Sequence, residues 1–329
     1  MIIPLYDIFG DYLVRQVAVN SVNYKVVSLK GEPYLDIDDK DLRVTFDTAS
    51  EIASEFESKN RRVIPLTAND KKVLEKVLRC FNFTPSDPVS KVLKNFDIEK
   101  SKECTVDNLP SFIKPEFYEY VRVPGKPGGR KMQVKADARY VVVAIAGWLL
   151  SRIGTARVGQ DVIGVNVFTE TKSMLYTTYG NFAGVKPETA FIILLAKRVL
   201  ESNSNITSAR VYLVSDGGGQ NPTVVLGGFN VDFTRLLEKR ELITDELVRL
   251  ANDALNPDSK TNDFSTVVVN KAYEVLNGSK EVEELVYFAN RYVSMEVASG
   301  KFGEFCHDYP AYCTAYYYAQ RLLGEVQKA

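Results

Sequence analysis

The sequence predicts an α+β protein, a mixed strand-and-helix body over residues 1–231 followed by an all-helical C-terminal bundle over 232–329. Three observations predict it. Short β-prone runs bounded by turn residues recur up to Val231, apolar-periodic segments of helical length are interleaved with them, and strand signals nearly vanish from Asp232 onward. No internal repeat or low-complexity tract is evident.

In chain order, "LVRQVAV" and "YKVVSL" read as short strands, with a hairpin turn around Lys30 to Pro33. "TASEIASEFESKN" reads as a helix opening on a capping pair, Thr48 and Glu51. "ANDKKVLEKVLRCF" places Val73, Val77, Leu78 and Phe81 at helical spacing. Prolines 85, 88, 110, 115, 124 and 127 make the stretch from Thr84 to Pro127 an irregular connection and a candidate domain seam. "EFYEYVRV" and "KMQV" then bracket a Pro/Gly loop as a hairpin. "KADARYVVVAIAGWLLSRIG" reads as a buried helix closed by Gly154; its apolar run, Tyr140 to Leu150, spans eleven residues and is too short to cross a bilayer.

"ARVGQDVIGVNVFT" and "SMLYTTYG" return to strand, and "KPETAFIILLAKRVLESN" is a second buried helix with Pro187 at its start. "ARVYLVSDGGGQNPTVVLGGFNV" alternates on both sides of Gly217 to Gly219, a hairpin with a glycine-rich tip. About four helices follow, "TRLLEKRELITDELVRLANDAL", "STVVVNKAYEVL", "EVEELVYFANRYVSMEVAS" and "YCTAYYYAQRLLGEV".

With 329 residues, 45% hydrophobic and 25% charged, the chain suffices for two domains or one large one, and its bulk is expected to fold. The net charge of −1 excludes a chain-wide basic surface, so any nucleic-acid contact is local. Cys80, Cys104, Cys306 and Cys313 are too few and too scattered for a disulfide framework. With "MIIPLYDIFGDYL" lacking a basic n-region and cleavage site, the expectation is a reduced, cytoplasmic protein.

One local asymmetry stands out. Between Tyr120 and Val143, Arg122, Lys126, Arg130, Lys131, Lys135 and Arg139 set six positive charges against Asp137 alone. If the hairpin displays Lys126, Arg130 and Lys131 at its tip, glycine and proline let the backbone approach a phosphate chain that the long cations then reach. A solvated hairpin tip fits the same residues.

"SDGGGQNPT" fails as a dinucleotide loop, because "TVVLGGF" continues as strand where a helix is required. It reads as a flexible tip or as a glycine finger whose Gln220 and Asn221 probe a DNA groove. Nothing suggests catalysis or a resident metal or cofactor. The one histidine, His307, reads as a helix-start or surface residue; Cys306 and Cys313 lack zinc spacing; and Asp36, Asp38, Asp39 and Asp41 read as a turn. Tyr309, Tyr312 and Tyr316 share a helical face suited to bundle packing or to stacking.

The block "AGWLLSRIGTARVGQDVIGVNVFTE" resembles the large subunit of archaeal subtype I-A CRISPR interference (Cascade) complexes, the Csa branch of the Cas-eight family. The likeness is strongest from Lys135 to Phe168, continues more weakly through "VSDGGGQNPT", and is accompanied by the helical C-terminus. It implies a non-catalytic subunit that works with guide RNA and other complex subunits. Such a subunit helps to recognise the protospacer-adjacent motif in double-stranded target DNA, contacts the displaced strand and docks a helicase-nuclease, with no membrane role. No motif-reading residue of the family transfers to a numbered position. The candidate contacts are therefore residue-based: Lys126, Arg130 and Lys131 for phosphates, Gln220 and Asn221 for a groove, and Arg152 and Arg157 within the resembling block, where pairing with acids is the other reading.

Two other classes fit less. A nucleotide-acting enzyme with "SDGGGQNP" as its phosphate loop requires converging carboxylates that the sequence does not supply. A self-associating scaffold would bind no nucleic acid.

Overall fold

The computed structural model describes residues 1–21, 23–97, 101–115, 135–217 and 221–326. It is an α+β fold whose described C-terminal part is helical. Two compact units divide the chain: the first holds residues 1–154, 163–179 and 209–230, the second residues 155–162, 180–208 and 231–329.

In the first unit, β1 (Ile2–Pro4), β2 (Tyr24–Leu29) and β3 (Glu32–Ile37) form an antiparallel sheet of order β1-β3-β2. The β2–β3 hairpin turns through Lys30 and Gly31, both at positive φ, as expected from the sequence. Helices α1 (Phe9–Asn20), α2 (Asp39–Ser58), α3 (Ala68–Cys80), α4 (Val89–Asn95) and α5 (Ala138–Ser151) build the core. Short strands β4 (Thr105–Val106) and β5 (Ala136–Asp137) pair just before α5.

"LVRQVAV", expected as a strand, lies inside α1. Phe9, Leu13, Val14 and Val17 recur on one buried face, and this helical period overrides the β preference of the valines. Thr48 does not open a helix either. α2 begins ten residues earlier at its N-cap Asp38, whose carboxylate accepts the Lys40 N–H at 3.0 Å. Asp39 and Asp41 occupy its first turn, where negative charge meets the positive end of the helix dipole, so most of the acidic run expected as a turn is a helix start. The helix at 68–80 forms as expected, with Thr67 and Asp70 in a reciprocal capping box.

Nearly every residue of α5 is buried, as its apolar run requires. It packs on α1 through Gly147, where any Cβ would lie 1.9 Å from the Leu13 carbonyl oxygen. Several buried polar groups here are matched. The Asp11 carboxylate accepts from the Tyr6 and Asp7 backbone and from the Tyr140 hydroxyl at 2.7 Å. Gln16 exchanges hydrogen bonds with Thr169, and Asp70 accepts from Ser111. α5 ends at Ser151, short of the expected Gly154, because the chain passes directly into β6 (Arg152–Val158).

β6 is followed by β7 (Asp161–Thr169), β8 (Gly180–Phe182), β9 (Ser208–Ser215) and β10 (Val224–Asp232), in a sheet of order β10-β9-β7-β6-β8. β7 and β9 are antiparallel, with Gly164 opposite Val214, Asn166 opposite Tyr212 and Phe168 opposite Arg210. "SMLYTTYG" contributes mainly a 3-10 turn, Leu175–Thr178, closed by Thr177 and Thr178 hydroxyls on upstream carbonyls, and only its last glycine enters β8. The expected hairpin over 120–134 lies outside the described residues.

The second unit contains α6 (Glu188–Glu201), which starts one residue after Pro187 and not with that proline in its first turn, then α7 (Thr234–Glu238), α8 (Asp245–Leu255), α9 (Asn262–Leu276), α10 (Val282–Ala298), α11 (Phe302–Asp308) and α12 (Pro310–Val326). Phe264 gathers Phe288, Tyr292 and Tyr312 at ring distances of 5.6, 4.8 and 4.3 Å. Tyr312 therefore serves helix packing.

The cysteines overturn the expectation of unpaired thiols. Cys80 bonds Cys104, and Cys306 bonds Cys313. Sequence spacing does not report pairing: the end of α3 meets the segment before β4 across 24 residues, and the break between α11 and α12 folds Cys313 back onto Cys306. No described helix is long and apolar enough to cross a membrane.

Candidate nucleic-acid interface

The end of β9, just before the glycine run, carries an ion pair with a buried arginine. Arg152 begins β6 at 6% exposure, and its guanidinium meets the Asp216 carboxylate in a bidentate pair at 2.8 and 2.5 Å. The guanidinium lies 5.0 Å from the Trp148 ring centroid and also reaches Asn166 Oδ1 at 3.4 Å. The Asn166 amide donates in turn to Ser151 Oγ at 2.9 Å. Space for the guanidinium comes from Gly164, where a Cβ would sit 1.9 Å from its central carbon.

Directly after Asp216, Gly217 adopts φ +63° and approaches the returning strand so closely that a Cβ would lie 2.3 Å from the Asn221 carbonyl oxygen. Only glycine fits both conditions. Gly217 thus follows directly on the buried pair, and Asn221 is exposed at the start of the return arm.

Farther along β9, Arg210 donates to the Tyr12 hydroxyl at 2.6 Å and to Asn230 Oδ1 at 3.1 Å, with its guanidinium 5.1 Å from the Tyr12 ring centroid. Phe9, Tyr12, Phe168 and Tyr212 form an aromatic cluster with ring distances of 5.4 to 6.2 Å. Burial, and next the Tyr12 hydroxyl, push the Tyr212 phenol up to about 12.

In the second unit, Arg157 is exposed, and its side chain makes no hydrogen bond or ion pair among the described residues. It lines an open cavity of about 320 Å³ with Thr155, Asn181, Asn256 and Asp258. The Thr155 hydroxyl donates to Asn181 Oδ1 at 2.8 Å, and the Asp258 N–H donates to Asn256 Oδ1 at 3.1 Å, which leaves both amide NH2 groups as donors. The loop carrying Asn256 and Asp258 is tied back to α8: Asp253 accepts three hydroxyl hydrogen bonds, from Ser259, Thr261 and Ser265.

Of the residues singled out by sequence, Asn221 and Arg157 are surface groups in different units, and Arg152 takes the acid-pairing role, holding the hairpin base. Lys126, Arg130, Lys131 and Gln220 lie outside the described residues. Arg139, from the same basic stretch, is held by Asp137 at 2.5 Å. His307 is a surface residue whose imidazole contacts its neighbour Asp308 at 3.3 Å. Among the described residues no group of three or more His, Cys, Asp or Glu side chains is arranged to hold a metal ion.

Sequence reasoning missed Asp216, Gly164 and Asn166. The first was visible as the acid before the glycines, but its partner lies 64 residues upstream. Arg210 and Tyr212 were legible as alternate positions on one strand face, whereas their contact with Tyr12 of α1 was not.

The family model described as CRISPR-associated protein, CsaX, matches residues 35–293, well over half the chain, including the basic stretch, α5, the Arg152–Asp216 pair and the glycine hairpin. No curated protein matches the chain significantly.

Proposed function

We propose, from the premise that the chain belongs to the CRISPR-associated CsaX family, that it is a non-catalytic subunit of an RNA-guided interference complex and helps to recognise the protospacer-adjacent motif in target DNA. It acts in the cytoplasm with the guide RNA, the other subunits and a helicase-nuclease. Base pairing with the guide reads the target sequence in such complexes, which leaves the protein a short duplex motif and backbone contacts. Local basicity in a chain of net charge −1 suits that division of labour.

The observation that carries the reading is the β9–β10 hairpin, whose glycine tip is anchored at its base by the buried Arg152–Asp216 pair. A fixed stem supports a tip without bulky side chains, so amide groups at Gln220 and Asn221 enter a groove and meet base edges. Lys126, Arg130 and Lys131 hold phosphates on the same duplex; Arg157, a cation of the second unit, is a separate candidate for a contact with the DNA backbone.

The test is binding of labelled duplex DNA, alone and with a guide-loaded complex, over a salt series. Replacing Lys126, Arg130 and Lys131 together by Ala is expected to weaken binding to all sequences and to lower the log–log salt slope by roughly three counterions. Gln220→Ala with Asn221→Ala is expected to keep the slope while erasing the preference for motif-bearing duplex. If both variants bind as wild type does, the reading fails.

A further inference from the structure

We propose that β2 is a contact edge through which two copies of this chain pair, antiparallel about a two-fold axis at Val26. This inference is independent of the functional reading above.

β2 is an outer strand of the β1-β3-β2 sheet and pairs only with β3 among the described residues. Its register sets Leu29 opposite Glu32, Val27 opposite Tyr34 and Lys25 opposite Asp36. One residue beyond, the Asn23 carbonyl accepts the Asp38 N–H at 3.1 Å. That bond fixes the alternation. Backbone groups of residues 23, 25, 27 and 29 turn toward β3, and those of Tyr24, Val26 and Ser28 turn out toward the free edge.

The side chains along this edge are those of a buried strand. Val26 is 55% exposed, Tyr24 43% and Leu29 42%. Val26 stands opposite Leu35 and Tyr24 opposite Ile37, both in the core, so the apolar surface runs from the core out over the edge. Edge strands of soluble proteins are normally blunted by outward charge, proline or a bulge. The single charge in "YKVVSL", Lys25, is drawn back to Asp36 of its own sheet at 3.5 Å.

The occupant that fits is β2 of a second copy. A two-fold axis perpendicular to the sheet keeps the core-side faces together only when opposed residues share parity. Placing Val26 against Val26 of the other copy opposes Tyr24 to Ser28 and Lys25 to Val27. The outward-facing residues then form the hydrogen-bonded pairs, and no ionisable group faces another. The strand needs no change of sequence or register to be its own complement.

Sedimentation of the intact protein over a concentration series, combined with crosslinking at one position, tests this. All four native cysteines are in disulfides, so Val26→Cys introduces the sole free thiol. Hydrogen-bonded antiparallel pairs place Cα atoms about 5.5 Å apart, within disulfide range. The expected results are a wild-type mass that doubles with concentration, a covalent dimer of Val26→Cys under mild oxidation, and none for Val44→Cys, a 64% exposed control on α2. Val26→Lys, at an exposed site, is expected to keep the wild-type circular dichroism and remain single-copy at tenfold higher concentration. A wild type of single-copy mass throughout, a Val26→Cys that crosslinks no faster than the control, or a dimer that survives Val26→Lys each overturns the proposal; the first together with capture of an extended segment of another protein would assign the edge to that segment.

Discussion

Arg152 and Asp216, 64 residues apart in sequence, form a bidentate ion pair that ties the start of β6 to the end of β9. The guanidinium is almost wholly buried, whereas the carboxylate side chain is 34% exposed. Removing Asp216 therefore strands a charge that water cannot reach. Asp216→Ala is expected to cost about 3 kcal/mol, the lower end of the range for a broken buried pair because the carboxylate is partly solvated. Arg152→Lys is expected to destabilise too, since an ammonium cannot reproduce the planar fork. Urea denaturation of the single and double variants measures both effects; additive losses would show that the pair is not coupled.

Gly147 is a packing glycine. Ala is the better helix former by about 1 kcal/mol, so Gly147→Ala would stabilise an isolated α5. In the fold its Cβ meets the Leu13 backbone at 1.9 Å, and backbone cannot rotate away as a side chain does. The expected net effect is a loss of about 2 kcal/mol, read as a lower denaturation midpoint. A midpoint equal to or above wild type would show that α1 and α5 separate freely.

The two disulfides are expected to differ. Cys80–Cys104 closes a separation of 24 residues and Cys306–Cys313 one of 7. By loop-closure entropy the longer bridge contributes about 1 kcal/mol more. Replacing each pair by Ser and comparing midpoints tests the order, and the reverse order would mean that the α11–α12 connection depends on its bridge for packing.

Two tyrosines make opposite predictions. The Tyr318 hydroxyl is buried, with no hydrogen-bond partner among the described residues, and burial holds its proton well above the ordinary tyrosine range. Tyr318→Phe deletes an unsatisfied group and is expected to raise stability by up to about 1 kcal/mol. Tyr212, pushed up to about 12, keeps its proton in the fold at pH values where an unfolded tyrosine loses it near 10. Its contribution is complete below about pH 10 and is lost as pH rises through about 12. Stability measured between those values is expected to fall more steeply in wild type than in Tyr212→Phe.

Much of the fold was legible because local chemistry suffices for it. The Lys30–Gly31 turn, the capped helix at 68–80, the helix after Pro187, the glycine hairpin and the helical C-terminus each announce themselves within a dozen residues. Where two local signals compete, only packing decides. Valines in "LVRQVAV" favour strand, yet burying Leu13, Val14 and Val17 together against α5 requires a helix.

The site divides along the same line. The sequence by itself determined the composition of the tip, three glycines followed by Gln220 and Asn221, the excess of cations between 122 and 139, and the absence of a chain-wide basic surface. Tertiary structure decided that Arg152 pairs with Asp216 at the hairpin base instead of presenting its charge, that the four cysteines pair two by two, and that β2 is an outer strand of its sheet among the described residues. The reason is physical: residue type and spacing report interactions within a few turns of chain, whereas an ion pair, a disulfide or a strand neighbour between distant segments exists only once folding has brought them within bonding distance.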